Sequence, residues 1–350
     1  MISSDRPFFS VIIPTRNRPS QLAVALHSVR EQHYRDFEVI VVDDGSSAEH
    51  QSGYRELVEV TPSVTRILTL VRIENGHGPG YGRNYGAHRA RGDYLCFLDD
   101  DDQWTDADHL SRVAGVITKS PEPIHLILAN QVAFRDGAPV PGIRWIDDLM
   151  ERLGGAPGVT GSYVVTPSQL LGCQAHCHLN TMIVSRTFFV DVGGFDDGLR
   201  YEEDRDFYLR AIDRATVIKF LPVTVSRHNI PDPKAKASAS TLESELSKRL
   251  YQLRVFDKAV LFSARPELRR HAMHQRAFIL KHIATEAARL GWLDCAAYYA
   301  REALITSFTW GWLGATTAFA LRRLLATTLG FLNAKQECGS SHALTKPIRR

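Results

Sequence analysis

The chain has 350 residues, 44% of them hydrophobic and 23% charged, with a formal net charge of +3. That length holds one large domain with an appendage, or two domains, and enough apolar side chains for a real core. The near-neutral balance gives no global electrostatic case for nucleic-acid binding. Five cysteines, Cys96, Cys173, Cys177, Cys295 and Cys338, are an odd and scattered set. They suit free thiols in a reducing compartment better than a disulfide framework. Met1 to Ser10 carries no secretory signal pattern, so the cytoplasm is the expected location.

The first hundred residues alternate strand and helix. Phe8–Ile13 is an apolar, β-branched run stopped by Pro14, and Leu22, Leu26 and Val29 then recur at helical spacing. Phe37–Val42 is a second strand ending at Asp43-Asp44-Gly45, and Val64–Ile73 a third. Asn75–Gly80 is a glycine-rich turn, Tyr81–Arg91 a helix, and Asp93–Leu98 a strand that runs into four aspartates, Asp99 to Asp102. Strands apolar on both faces and alternating with helices imply an α/β fold with a parallel sheet covered on each side. Ligands of such sheets sit at the carboxyl ends of the strands. Pro14-Thr15-Arg16, Asp43-Asp44-Gly45 and Asp99–Asp102 should therefore meet in one crevice. The four carboxylates call for a positive partner, such as a divalent cation with phosphate behind it. Read alone, they would also suit the acidic start of a helix at Trp104-Thr105-Asp106.

Four stretches in order, Ser10-Val-Ile-Ile-Pro-Thr-Arg-Asn-Arg18, Glu38-Val-Ile-Val-Val-Asp-Asp-Gly-Ser46, Gly80-Tyr-Gly-Arg-Asn-Tyr-Gly86 and Phe97-Leu-Asp-Asp-Asp-Asp102, resemble the successive motifs of family 2 glycosyltransferases with the GT-A fold. The resemblance continues through Gly193-Gly-Phe-Asp196 and Glu203-Asp-Arg-Asp206 to about His228. It implies a mainly parallel, Rossmann-like sheet flanked by helices and an inverting, non-processive transfer of one sugar from a nucleoside diphosphate, UDP first, to a hydroxyl acceptor in cell-surface glycan synthesis. It also implies Mn2+ or Mg2+ as cofactor. Pro14, Thr15, Arg16, Asp43, Asp44, Asn75, Gly78, Arg83, Asp99 and Asp100 would bind the donor, with Asp44 on the base and Asp99 toward the ribose. Asp101 would hold the metal, although four aspartates in a row leave the register open, and His228 is open between a metal ligand and an ordinary hydrogen-bonding residue. Asp204 would be the general base with Glu203 assisting. The bland alternatives are a tight turn at Asp43–Gly45 and acids complementing a helix dipole at Glu202–Asp206.

The acceptor, a glycan, a lipid-linked sugar or another hydroxyl compound, falls to residues 130–230. Beyond a strand at Ile124–Ala129, a long irregular stretch to about Pro167 carries Trp145, Asp147 and Asp148 and reads as an acceptor wall or lid. Cys173-Gln-Ala-His-Cys-His178 invites zinc, but a strand bordering the site is the preferred reading. Thr181–Ser185 and Phe220–Val225 are strands, and Arg186–Val192 is a helix. Residues 1–230 thus form the catalytic domain, with 1–129 as the nucleotide-sugar half. Residues 231–240 read as a linker, 241–334 as a helical C-terminal extension with a Leu242, Leu246, Leu250, Leu253 stripe, and 335–350 as a basic tail. Ala303–Leu332 could span a membrane, lie on its cytoplasmic face as a peripheral anchor, or pack on the protein. Two other activities stay open. A binding subunit without catalysis would hold the donor but not transfer it. A sugar nucleotidyltransferase would need a glycine-rich, lysine-bearing signature that Pro14-Thr-Arg-Asn does not supply.

Overall fold

The computed structural model describes residues 6–59, 65–143, 145–231, 241 and 243–340. These residues form two compact units, 1–243 with 258–269, and 244–257 with 270–350.

The first unit is built on one ten-stranded sheet. Four parallel strands, β1 (Phe9–Thr15), β2 (Phe37–Asp43), β3 (Thr65–Thr69) and β4 (Tyr94–Phe97), lie in the order β3-β2-β1-β4. All seven residues of β2 are buried, as are six of the seven in β1, which is why both read as continuous apolar runs. After β4 come the two-residue β5 (Gln103–Trp104), β6 (Leu126–Arg135), β7 (Ala138–Pro139), β8 (Tyr163–Val164), β9 (Met182–Ser185) and β10 (Ile218–Asn229). The sheet continues from β4 through β9, β6 and β10 to β5, and β9 is antiparallel to both its neighbours. This is a mixed α/β fold whose first half is wholly parallel, with helices on its faces.

α1 (Pro19–Arg30) opens on Pro19, whose missing N–H costs nothing in a first turn, and buries Leu22, Ala25, Leu26 and Val29 on one stripe. These pack with Phe9, Val11 and Ile13 in the main apolar core, where each fully buried Leu or Ile contributes about 1.5–3 kcal/mol. α2 (Gln51–Glu59), α3 (Pro79–Ala87), α4 (His109–Thr118), α5 (Pro167–Leu171), α6 (Arg186–Val192) and α7 (Glu203–Arg214) complete this unit's first 231 residues. Gly194, at φ +61°, lies so close to α3 that a Cβ would sit 2.6 Å from Asn84 Oδ1. Asn84 in turn donates to Phe195 O and accepts from Phe195 N, both at 2.9 Å, tying the Gly-Gly-Phe-Asp turn to α3.

Three local expectations change. Trp104 is not at a helix start: it sits in β5, hydrogen-bonded to β10, and the helix begins only at His109. Residues 173–178 are not a strand but a loop between α5 and a short 3-10 turn at Leu179–Thr181. In the helix Glu245–Phe262 the buried positions are Gln252, Val255, Phe256 and Ala259; of the leucine stripe, Leu250 is exposed and Leu246 and Leu253 are half-buried.

The second unit holds most of that helix, most of Pro266–Arg289, and the helices Leu293–Thr306 and Trp310–Ser340. The last two pack through Ala300, whose carbonyl accepts from Trp312 Nε1 at 2.9 Å and Thr316 Oγ1 at 3.3 Å. Among the described residues no helix is long and apolar enough to cross a membrane, which removes the spanning reading there. Residues 335–340, expected in the tail, continue the last helix. Residues 232–240 of the expected linker, Leu242 and residues 341–350 lie outside the described residues. Cys96, Cys173, Cys177 and Cys295 are free thiols.

Candidate active site

The carboxyl ends of β1, β2 and β4 do converge. Thr15, the last residue of β1, donates to Asp100 Oδ2 at 2.7 Å and also meets Tyr54 OH at 3.0 Å. Pro14 precedes it in the strand, opposite Val42. Arg18, which the sequence left without a role, reaches Asp100 Oδ1 and Asp101 Oδ2 with one nitrogen, 3.0 Å from each. Arg16 points elsewhere. Its guanidinium donates to the carbonyls of Ile73 and Glu74 at 2.9 and 2.8 Å. Arg200 does the same for Asn75 and Gly76 at 2.9 and 2.6 Å, so two arginines fasten the loop after β3 by its carbonyls.

The paired aspartates after β2 divide their work. Asp43 accepts from the backbone N and hydroxyl of Ser46, at 3.0 and 2.5 Å, and closes the turn. Asp44 faces the loop: its carboxylate accepts from His77 N at 2.9 Å, His77 Nδ1 at 2.7 Å and Gly78 N at 3.0 Å. Gly78 has φ +100°, which only glycine adopts readily. His77 then stacks on Tyr81, with ring centroids 4.8 Å apart.

Arg83 joins the aspartates after β4 to the acids of α7. From the buried face of α3 it reaches Asp99 Oδ1 at 2.5 Å and Glu203 Oε1 at 2.7 Å, 120 positions away in sequence. Burial opposes its charge, but the two carboxylates outweigh burial and hold the guanidinium protonated above its ordinary value. In return Asp99, despite burial, is kept below the usual carboxylate range by Arg83. Asp100 is pushed up to about 6 by burial against Arg18 and Thr15. Asp101 goes up to about 7, through burial and the charges of Asp102, Asp100 and Asp99. Glu203 also rises to about 7, where burial overcomes Arg83.

Asp102 is buried and belongs to a different group. It accepts from Asn180 Nδ2 at 2.5 Å, Asn229 N at 2.7 Å and His228 Nδ1 at 2.7 Å. Ligand atoms of Asp102, His178 and His228 all lie within 4.8 Å of one another, a set that could hold a metal ion. His228 is thus brought beside Asp102, whereas the carboxylate of Asp101 meets Arg18. Asp102 raises His228 to about 9 in spite of burial. His178 is pushed down to about 4 by burial and by His228, which leaves it a neutral imidazole. Trp145 sets its ring edge-on to both histidines, 5.5 and 6.3 Å away.

Asp204 sits in the first turn of α7, where the helix dipole favours an anion. The preceding Glu202 takes φ +68°, a conformation a non-glycine residue holds only when its surroundings enforce it. Asp204 Oδ1 accepts from Arg205 N at 2.7 Å, and Oδ2 lies 3.1 Å from His176 Nε2. Arg205 Nε donates to His176 Nδ1 at 3.2 Å, so Nε2 is the ring nitrogen that faces Asp204. Burial alone would raise Asp204; His176, by charge and hydrogen bond, holds it well below the carboxylate range. His176, His178 and Asn180 carried no assignment from sequence. Their only signal was the Cys173–His178 cluster, whose histidines the loop, not a strand, turns toward the acids.

Charge rather than shape marks this place. A surface groove of about 240 Å³ lies at Val24, His27, Gln32 and Trp104, and none of these carboxylates lines it.

Residues 10–140 match the sequence model of glycosyl transferase family 2. The chain carries a family 2 glycosyltransferase domain. An uncharacterized glycosyltransferase of Haemophilus influenzae is 26% identical to this glycosyltransferase over 244 residues, 68% of this chain and 70% of the relative. The amylovoran biosynthesis glycosyltransferase AmsB of Erwinia amylovora is 29% identical over 213 residues, 58% of this chain and 63% of that one. A PGL/p-HBAD biosynthesis glycosyltransferase of Mycobacterium tuberculosis is 29% identical over 246 residues, 70% of this chain and 84% of the relative. Among solved structures, S. aureus TarS 1–349 in complex with UDP-GlcNAc superposes with a TM-score of 0.60 at 20% identity, covering 84% of this chain and 80% of that one. The mannosyltransferase PcManGT of Pyrobaculum calidifontis, in complex with GDP-Man and Mn2+, gives 0.55 at 19% identity, covering 91% and 85%. At these identities the structures establish the fold, and it is GT-A.

Proposed function

We propose that this glycosyltransferase moves one sugar from a nucleoside diphosphate sugar, with UDP as the first choice of nucleotide, to a hydroxyl acceptor with inversion, in building a cell-surface glycan. The observation that carries this reading is Arg83, which ties the donor-side Asp99 to Glu203, next to the candidate base. The names of the amylovoran and PGL/p-HBAD relatives support the glycan context.

Donor binding falls to the strand ends and the loop after β3. Asp44, which faces the loop after β3, offers its carboxylate to a base N–H, while Asp43 closes its turn. Thr15 and Arg16 hold the crevice wall, Asn75 and Gly78 let backbone approach the ligand, and Asp99 and Asp100 face the ribose and diphosphate. Mn2+ or Mg2+ fits the residues present. Asp100 and Asp101 are crowded by like charge, and Asp101, His228, Asp102 and His178 offer carboxylate and imidazole donors, a mixture that suits Mn2+ better than Mg2+. When bound, the ion neutralises charge on the leaving diphosphate.

Asp204 accepts the proton of the acceptor hydroxyl, whose oxygen forms the new bond to the anomeric carbon as the bond to the diphosphate oxygen breaks. A base held deprotonated by His176 is ionised at neutral pH. Glu203, pinned by Arg83, positions that first turn. Attack from the face opposite the diphosphate inverts the anomeric centre. The test is Asp204→Asn, with transfer and donor affinity measured together across UDP-, GDP- and dTDP-sugars. Transfer should fall at least ~100-fold, the scale of a general base, while donor affinity holds. Unchanged transfer removes Asp204 from the mechanism. Donor binding by the unmodified protein with no transfer to any acceptor favours the binding-subunit alternative.

A further inference from the structure

The helix Trp310–Ser340 presents two unlike faces. One packs within its own unit: Trp312 and Thr316 bond the carbonyl of Ala300, and Arg323 pairs with Asp294 at 2.5 Å. At about 100° per residue, Trp310, Leu321 and Leu325 fall on the opposite side, with Leu324 at its edge. Trp310 is 80% exposed, Leu321 54%, Leu324 61% and Leu325 60%, and every residue from 321 to 328 is exposed. A surface helix normally turns charged residues to water and its leucines to the protein. This one turns its leucines outward.

We propose that this face docks on an anionic phospholipid surface. The occupant follows from charge and residue type. From Ala303 to Gln336 the sequence contains no Asp or Glu, but it contains Arg322, Arg323 and Lys335. Arg322 lies beside the leucine stripe. A second copy packed on that stripe would bring two Arg322 side chains together with no acid from this segment to pair them, whereas anionic headgroups supply the missing charge. Trp310 and Phe308, exposed where the helix begins and 5.2 Å apart, are residue types that favour the boundary between headgroups and acyl chains. The inference does not rest on the donor chemistry, and its test does not use transfer.

The full chain is floated with vesicles of phosphatidylcholine containing phosphatidylglycerol, and with phosphatidylcholine alone. Co-flotation with the anionic vesicles, weakened by salt and much reduced on the neutral ones, is expected. The double substitution Leu324→Glu with Leu325→Glu should weaken binding roughly tenfold or more. Because both side chains face solvent, its thermal midpoint should match the parent protein's. If that pair disturbs the helix, Leu321→Gln reads the same face more mildly. No flotation with anionic vesicles, or flotation indifferent to these substitutions, overturns the proposal. So does a concentration-dependent dimer, seen by light scattering and broken by the same substitutions, in a chain that does not bind vesicles; that result assigns the face to a second copy.

Discussion

The two walls of the proposed site, one for the donor and one for the acceptor, are made differently. On the donor side the acids come from contiguous motifs at strand ends, and arginines hold three of them: Arg18 on Asp100 and Asp101, Arg83 on Asp99. On the acceptor side the acid is a first-turn residue of α7 and its partner is a histidine delivered by a loop, His176 on Asp204. An arginine keeps its charge at any working pH and fixes geometry through several donors. A histidine places one oxygen and leaves the carboxylate able to exchange a proton. The donor wall is a charge lattice; on the acceptor wall one ionised carboxylate has a single side-chain support, His176, beside the backbone N–H of Arg205.

The largest expected effect tests the lattice. Arg83→Met leaves Asp99 and Glu203 buried without their shared cation and should destabilise the protein by about 3–5 kcal/mol, the scale of breaking a buried pair. Urea unfolding measures it, and a loss below about 1 kcal/mol would mean the lattice carries no structural load. Arg83→Lys should recover little, since one ammonium does not reproduce a fork that spans two acids.

A control that touches neither wall comes next. His109 is fully buried against Trp104 with neither ring nitrogen hydrogen-bonded to protein, and burial pushes it down to about 4. Its unfolded value is ~6.5, so as pH falls through that interval the unfolded chain takes up the proton first and stability drops, by on the order of 3 kcal/mol at the acid end. His109→Phe should flatten that part of the stability profile between about pH 6.5 and 4 without altering donor affinity.

The smallest effect tests the single support. His176→Ala should lower kcat about tenfold with the donor KM unchanged, because Asp204 loses the group that aims it. His176→Gln should restore part of the loss. In an Asp204→Asn background the alanine substitution should cost almost nothing more; a full additional tenfold there would mean that His176 acts apart from Asp204.

Much of the donor wall could be read from the residues, because a strand buried on both faces is a continuous apolar run and its polar end stands out against it. β2 ends at Asp43 and β4 at Phe97, within a residue or two of where the runs stop. What could not be read was partnership. Arg16 and Arg18 are alike in sequence, yet one ties down carbonyls and the other meets carboxylates, a choice made by a loop 57 residues later and by the aspartates after β4. The acceptor wall was less legible still. Two-residue strands such as β5 have no periodicity to detect, and the loop at 173–178 exposes its histidines through tertiary contacts alone. In the C-terminal helices leucine spacing was an incomplete guide, since the buried positions include Gln252 and small residues such as Ala259, Ala296, Ala300 and Ala303, which carry little hydrophobic signal but allow close approach.

β9 has a consequence for the order in which the chain acquires its shape. It lies between β4 and β6 in the sheet, yet it is made some fifty residues after β6. A chain leaving the ribosome can assemble β1 to β4 as a local parallel block. β6, however, has only its short hairpin with β7 until β9 and β10 emerge to flank it. During that interval an apolar strand waits without neighbours, and the growing polypeptide is at its most vulnerable to aggregation.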